Sequence, residues 1–181
     1  FEDSKKTSLP IALAMLGAEL HTGSDLDSVS VSLSALTKNL DPSLKLFSEV
    51  VLTPAFSDKE FPRVQKLQLD AIRHEKASPT SAALRVFPAF LYGAKHPYGN
   101  PYSGNGSEAS VMKIGIADLR KFHQTWFKPN NATLLVVGDT TMAAIRPKLE
   151  ALFGAWKRGD VPKISVPRVE RSAKARVFLI D

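Results

Sequence analysis

Four histidines, His21, His74, His96 and His123, are the chain's candidates for metal binding or proton transfer. A helical zinc site needs two imidazoles one turn apart with a nearby glutamate, so that both nitrogens reach one ion and the carboxylate activates water. No pair here has that i, i+4 spacing. His123 falls on an apolar helical pattern beside Phe122 and Trp126 and reads as a core histidine with its hydrogen bond satisfied. His96, ahead of Pro97-Tyr98-Gly99, reads as a loop residue with a structural hydrogen bond, and His74-Glu75 reads as solvated. Gly104 and Gly106 follow a loop rather than a strand, so they mark a turn and not a phosphate cradle. None of the serines lies in a Gly-x-Ser-x-Gly elbow. On local chemistry alone, the chain is not self-sufficient as an enzyme.

The elements that would position these residues follow from periodicity. Leu9, Ile11, Leu13, Leu16 and Leu20 predict a helix over Leu9–Leu20, followed by a turn cluster from His21 to Asp27. Serine and apolar residues alternate without a break from Ser28 to Leu36, the signature of a strand with one wet face. Asp41-Pro42 starts a helix as N-cap acceptor and first-turn proline; it buries Leu44, Phe47 and Val51 and stops before Thr53-Pro54. Ser57 and Glu60 have capping-box spacing and open a helix to about Lys76, with Val64, Leu67, Ala71 and Ile72 inward. Ser78-Pro79 opens another, bent at Pro88, with Ala82, Ala83, Val86, Phe87 and Phe90 inward. Tyr92 to Gly106 is a surface loop. Helical spacing returns from Leu119 to Trp126, and Asn131 to Val137 reads as a buried strand. Thr140 or Thr141 then caps a helix with Ile145, Leu149, Leu152 and Phe153 inward, stopped at Gly154. Long helical excursions between strands argue for an α+β layer, helices packed on one sheet face, over a doubly wound sheet.

Composition narrows the class. With 181 residues, 44% hydrophobic and 23% charged, the chain can bury the core of one compact domain. Net charge is +6, but the basic residues are scattered, and the densest stretch, Lys157 to Arg176, has acids interspersed. That reads as a solvated surface rather than a nucleic-acid or anionic-lipid site. No apolar run approaches the roughly 18 residues of a membrane span. The absence of cysteine excludes disulfides and thiolate zinc sites in this segment and is compatible with any redox compartment. The start at Phe1 and the apolar end at Val177-Phe178-Leu179-Ile180 read as cuts through a longer protein, so compartment is not readable from a leader. Residues 1–157 are expected to form one domain, and 158–181 a linker with the first strand of the next.

Several segments in series resemble the insulinase/pitrilysin family of zinc peptidases, which includes the mitochondrial processing peptidases. They are Leu16-Gly17-Ala18-Glu19-Leu20 with the alternating strand, Leu52-Thr53-Pro54-Ala55-Phe56 before the long helix, Tyr92-Gly93-Ala94-Lys95-His96-Pro97-Tyr98-Gly99 with Gly104 and Ser107, the run from Phe122 to Asp139, and Phe153-Gly154-Ala155-Trp156. The match runs in unbroken order from about Glu2 to Lys157, and the start from Phe1 to Ser8 resembles the non-zinc halves of long bacterial members. The resemblance implies a processing-peptidase-like α+β fold, an antiparallel sheet with helices packed on one face, repeated twice per half, in which two halves close around peptides. In the zinc half, an inverted His-x-x-Glu-His helix supplies two ligands and the base, and a glutamate from the long second helix supplies the third ligand.

Here the sequence departs from that pattern. The third-ligand position, counted back from Ser78-Pro79, falls on Ala71, and the supporting acidic position falls on Val64. Neither side chain carries a donor atom for zinc. The expectation is therefore a non-catalytic half: no metal or cofactor in this segment, zinc in a partner half of the same chain or a partner subunit, and a peptide as substrate. By pseudo-symmetry with the zinc domain, where a peptide adds a strand to a sheet edge, Val29, Val31, Leu33 and Ala35 are the implied substrate-binding residues. The rival readings are a scaffold subunit without peptidase activity and a catalytic half whose zinc helix lies upstream of residue 1. The family type favours a bacterial periplasmic location over a cytoplasmic one.

Overall fold

The computed structural model of the chain describes residues 8–169 and 177–179. They cluster into two compact units. The first takes the described residues of Phe1–Gly23, Val29–Phe56 and Leu119–Pro162; the second takes those of Ser24–Ser28, Ser57–Asp118 and Lys163–Asp181.

The first unit is built on helix α2 (Leu40–Leu52), which packs on α1 (Leu9–Leu16), on strand β2 (Val29–Ser34) and on α7 (Met142–Phe153). Its buried residues Leu44, Phe47, Ser48 and Val51 recur at three- and four-residue spacing, so one face meets all three neighbours. The buried hydroxyls of Ser43 and Ser48 donate back to the helix's own turn, to Asn39 O and Lys45 O, and so cost no orphaned group. Phe47 meets Phe153 of α7 edge-on at 6.1 Å. Helix α1 ends at Gly17, whose left-handed backbone (φ 59°) closes the last turn. Strands β1 (Glu19–Ser24) and β2 form a two-stranded antiparallel hairpin. Helix α6 (Ile116–Trp126) brings His123 to this unit, where its Nε2 donates to Val51 O at 2.8 Å.

The second unit is a helical hairpin, α3 (Phe61–Ala77) and α4 (Pro79–Tyr92), carrying the short helix α5 (Glu108–Lys113). Ile72 and Pro88 fill its centre and are fully buried. The covered face of α3 is polar as well as apolar. Gln65 donates to Val111 O and Ile114 O at the end of α5, and Gln68 donates to Asn105 Oδ1 at 2.8 Å. Glu75 pairs with Arg85 of α4 and accepts from Asn105, while Arg85 reaches Gly106 O. Lys76 meets Glu108 in the first turn of α5 at 2.6 Å. The loop from Tyr92 to Gly106 is thus pinned by side chains, with Gly104 and Gly106 supplying positive φ at its turns.

The α+β class holds: the chain is mostly helical, with a small antiparallel sheet. Most helix limits fall within a few residues of expectation, and the differences have local causes. The first helix stops at Leu16 instead of Leu20, because Gly17 turns the chain out and residues 19–24 pair as β1 instead of forming a turn cluster. Asp41 is not the N-cap of α2. Asn39 holds that position, and Asp41 sits in the first turn, paired with Lys148 of α7. Val64, Leu67 and Ala71 face outward, because the glutamine and glutamate bonds fix the other side of α3 against α5 and the loop. Phe87 and Phe90 of α4 are likewise exposed. Glu75 is not solvated; its side chain is 18% exposed, because Arg85 and Asn105 hold it inward. Asn131 to Val137 is not buried and forms no ladder with the described residues. The expected linker has no helix or strand where described, and it is anchored: Asn130 and Gly159 exchange two hydrogen bonds, and His96 Nε2 donates to Pro167 O. Val177–Leu179 shows no strand, and the rest of that expectation lies outside the described residues.

Burial alone raises the Glu75 carboxyl, but bonds from Arg85, Asn105 and Ser103 outweigh it and hold the group below its ordinary value of 4.5. Its stabilising share is therefore full above that ordinary value and fades as pH falls through the lowered folded value. Glu75→Ala, which strands the Arg85 guanidinium, is expected to cost about 2 kcal/mol in chemical denaturation near neutral pH. The difference from wild type should shrink in acid, and a pH-independent difference would count against the ion pair.

Candidate functional site

The β1–β2 hairpin is the element whose geometry suits contact with another chain. Its turn is tied by one side chain: Asp25 accepts from the N–H of Asp27 at 2.8 Å and of Ser28 at 2.7 Å, and from the Ser28 hydroxyl at 2.9 Å. The backbone bond from Asp25 N–H to Ser28 O closes the turn, and Ser30 Oγ reaches Gly23 O across the hairpin. These contacts set the register, with Gly23 opposite Ser30, His21 opposite Ser32 and Glu19 opposite Ser34. The outer face is wet, for Ser30, Ser32 and Ser34 are all exposed and Glu19 lies 3.5 Å from His21. On the inner face Val31, Leu33 and Leu20 are half-buried, because β2 rests on α2.

The same register decides which main-chain groups are free. In an antiparallel pair the hydrogen-bonded residues alternate with residues whose N–H and C=O point the other way. With Asp25 and Ser28 bonded, the main-chain groups of Val29, Val31 and Leu33 point away from β1, to an edge with no further strand among the described residues. Of the four expected substrate-binding residues, the structure places these three on one open edge, with Val31 and Leu33 turning their side chains inward. Ala35 lies one residue past the end of β2. Sequence reasoning missed Glu19, His21 and Gly23 as the partner strand. The signal was the Asp25-to-Ser28 turn, whose leading aspartate is suited to accept the two N–H groups that follow it. Beside β1 lies a shallow cleft of about 480 Å³, lined by Pro10, Leu13, Gly17, Glu19, Leu20 and His21.

The other candidates resolve into structural roles. His96 is buried, its Nδ1 accepting from Tyr98 N–H at 3.1 Å while Nε2 meets a carbonyl, which fixes the Nε2–H tautomer. His123 closes the end of α2 and meets Phe56 edge-on at 5.8 Å. Phe56 is the only described non-glycine residue with positive φ, 42°, and Arg120 reaches its carbonyl. His21 and His74 are exposed. On α3, Val64 and Ala71 lie two turns apart on one exposed face, while Asp70 pairs with Arg73 at 3.1 Å. Among the described residues no three His, Cys, Asp or Glu side chains converge as a metal site, and a methyl or isopropyl group offers zinc nothing. The residues do not fit the ion.

Residues 113–181 match the peptidase M16 inactive domain. The chain belongs to the peptidase M16 family. This is the insulinase/pitrilysin family that the serial motifs resemble, and the M16 domain matched is of the non-catalytic type. Its sequence is 30% identical over 132 residues to the zinc protease PqqE of Helicobacter pylori, covering 71% of this chain and 29% of that protein. It is 31% identical over 147 residues to the probable zinc protease PqqL of Escherichia coli, covering 73% of this chain and 14% of that protein. The structure of the periplasmic protease PqqL superposes with a TM-score of 0.73 at 18% identity, covering 88% of this chain and 18% of that one. The peptidase M16 inactive domain of Pseudomonas fluorescens superposes with a TM-score of 0.79 at 26% identity, covering 88% of this chain and 39% of that one. The chain thus spans under a third of the curated M16 relatives named here.

The hydrogen bond from Asp27 N–H, then those from Ser28, hold the Asp25 carboxyl below its ordinary value. The turn's order is accordingly complete above the ordinary carboxylate range and is lost as pH falls through the lowered value. Asp25→Ala should accelerate amide exchange across Glu19–Ser34 several-fold at neutral pH, with α2 amides unaffected. Exchange equal to wild type would show that another contact sets the turn.

Proposed function

We propose that this chain is the non-catalytic domain of a zinc-dependent metallopeptidase acting on peptides, forming chamber wall and substrate contacts opposite a zinc-bearing half. That half lies in the same polypeptide or in a partner subunit. What carries the reading is the inactive-domain match over residues 113–181, and the donor-free α3 face at Val64 and Ala71 is consistent with it. The domain that would perform this role is assigned to residues 1–157, with 158–181 leading into the next. The likeness to PqqL, a periplasmic protease, favours the periplasm.

Within this reading the open edge of β2 receives an extended stretch of peptide. Val29, Val31 and Leu33 offer main-chain donors and acceptors at two-residue spacing, the repeat of an added strand. Affinity then comes from backbone bonds, and the exposed serines opposite His21 and Glu19 make the surrounding face polar.

Two experiments test the proposal. The full-length protein is expected to cleave unstructured peptides and to hold one zinc ion, whereas residues 1–181 alone do neither. Cleavage or stoichiometric zinc in residues 1–181 alone would refute the non-catalytic assignment, and a full-length protein inactive on every peptide would favour a scaffold role. Val31→Pro removes one edge donor that the β1 ladder does not use, so folding should survive. KM for peptides should rise about fivefold, the worth of roughly one hydrogen bond, with kcat little changed. Ser32→Pro breaks the ladder itself and should instead lower the melting temperature.

A further inference from the structure

The chain's asparagines are Asn39, Asn100, Asn105, Asn130 and Asn131, and only Asn105 is followed by glycine. Asparagine is chemically labile, and an asparagine before glycine is the most exposed to one reaction. In it the main-chain nitrogen of the following residue attacks the side-chain amide carbon and closes a succinimide ring. Glycine favours this, since no side chain shields the nitrogen and the backbone turns freely. Here the nucleophile is available. Gly106 has φ of 70°, its carbonyl accepts from Arg85, and its N–H bonds to no described residue.

The amide under attack, by contrast, is held. Asn105 Oδ1 accepts from Gln68 Nε2 at 2.8 Å and its Nδ2 donates to Glu75, so both ends of the amide are tied to α3. Ring closure needs the face of the amide carbon turned onto Gly106 N at near-attack distance, and that turn breaks both bonds. Glu75 adds a chemical obstacle. The departing ammonia must gain a proton on Nδ2, whereas Glu75 accepts from that nitrogen and, paired with Arg85, is a carboxylate with no proton to give. The donor on Oδ1 polarises the carbonyl and by itself eases attack. One neutral hydrogen bond polarises weakly, while a misplacement of about an ångström costs about a hundredfold in rate, so orientation wins.

We propose that Asn105–Gly106 is a latent deamidation site, held closed in the folded chain by the Gln68 and Glu75 side chains of α3. When this clamp opens, the bond from Gly106 N to Asn105 Cγ forms, the bond from Cγ to Nδ2 breaks, and ammonia leaves. Water then opens the ring at either carbonyl, giving aspartate or isoaspartate. Both products replace an N–H donor with a carboxylate beside Glu75, a like charge, so the clamp does not re-form. The pinning of the loop is lost in one direction only. This does not rest on the peptidase reading.

The test ages the full-length protein at neutral pH, below its melting temperature, beside a synthetic peptide of residues 100–111. Peptide mapping by mass spectrometry reads the mass gain at Asn105. Asn105 should convert about a hundredfold more slowly in the folded protein than in the peptide, the worth of the two bonds together. Gln68→Ala, and separately Gln68→Leu, should each raise the rate in the folded protein about fivefold, the worth of one neutral bond. Thr141→Ala removes the cap of α7 in the first unit and should leave the rate at the wild-type level, because the clamp is local. Conversion as fast in the folded protein as in the peptide, no acceleration by either Gln68 variant, or equal acceleration by Thr141→Ala would each overturn the proposal.

Discussion

Every helix ends in main-chain carbonyls that its own turns cannot satisfy, and at the ends of α1, α2, α5 and α6 side chains distant in sequence close some of them. Asn39 donates to Leu16 O at the end of α1, and His123 to Val51 O at the end of α2. Gln65 takes two carbonyls at the end of α5, and Trp156 Nε1 donates to Phe127 O just past α6. Apolar faces would let these helices slide or rotate against their neighbours, since hydrophobic contact is non-directional. A donor that must meet one carbonyl removes that freedom. The effect is clearest on α3, where Gln65, Gln68 and Glu75 select which face turns inward although Val64, Leu67 and Ala71 form a more apolar stripe.

That competition explains what could be read from sequence. Propensity and periodicity located α2, α3, α4 and α7, because each has enough turns to show a pattern; the start signals at Ser78-Pro79 and Thr141 hold, whereas Asn39 and Glu60 take the N-cap positions expected at Asp41 and Ser57. Thr141 does cap α7, accepting from Ala144 N–H. Helix α5 escaped notice because six residues are too few for periodicity, and it is held by Glu108, Val111 and Ile114 meeting side chains of α3. The orientation of α3 was not legible either. It depends on partners 30 to 49 residues away in sequence, which no local window contains. His123 was read correctly as satisfied, since an imidazole among aromatics must find a partner, but the partner itself, Val51 O, belongs to the fold.

The candidate site divides the same way. The strand from Val29 was plain in its serine alternation, whereas β1 was hidden because Glu19–Ser24 alternates poorly and Gly23 weakens it. Which groups of β2 stay free is a question of register, and register came from the turn at Asp25. The motif series identified the family without fixing any of this. On α3 the side chains of Val64 and Ala71 carry no donor atom for zinc, and that is legible from residue type alone.

Two segments of the first unit with β character therefore face opposite demands. In β2, serines keep one face wet, and the apolar side chains Val31 and Leu33 are spent on α2; its free edge presents only polar main chain, which water solvates at little cost. Such an edge can stand open and be filled reversibly. In Leu134–Val137 both faces are apolar, so leaving the backbone unpaired also leaves Leu135 and Val137 in water. Roughly 1.5–3 kcal/mol is forgone for each large apolar side chain that stays exposed, far more than solvated backbone forfeits. The difference between the two segments thus lies in their side chains, half-buried against α2 in one and left in water in the other.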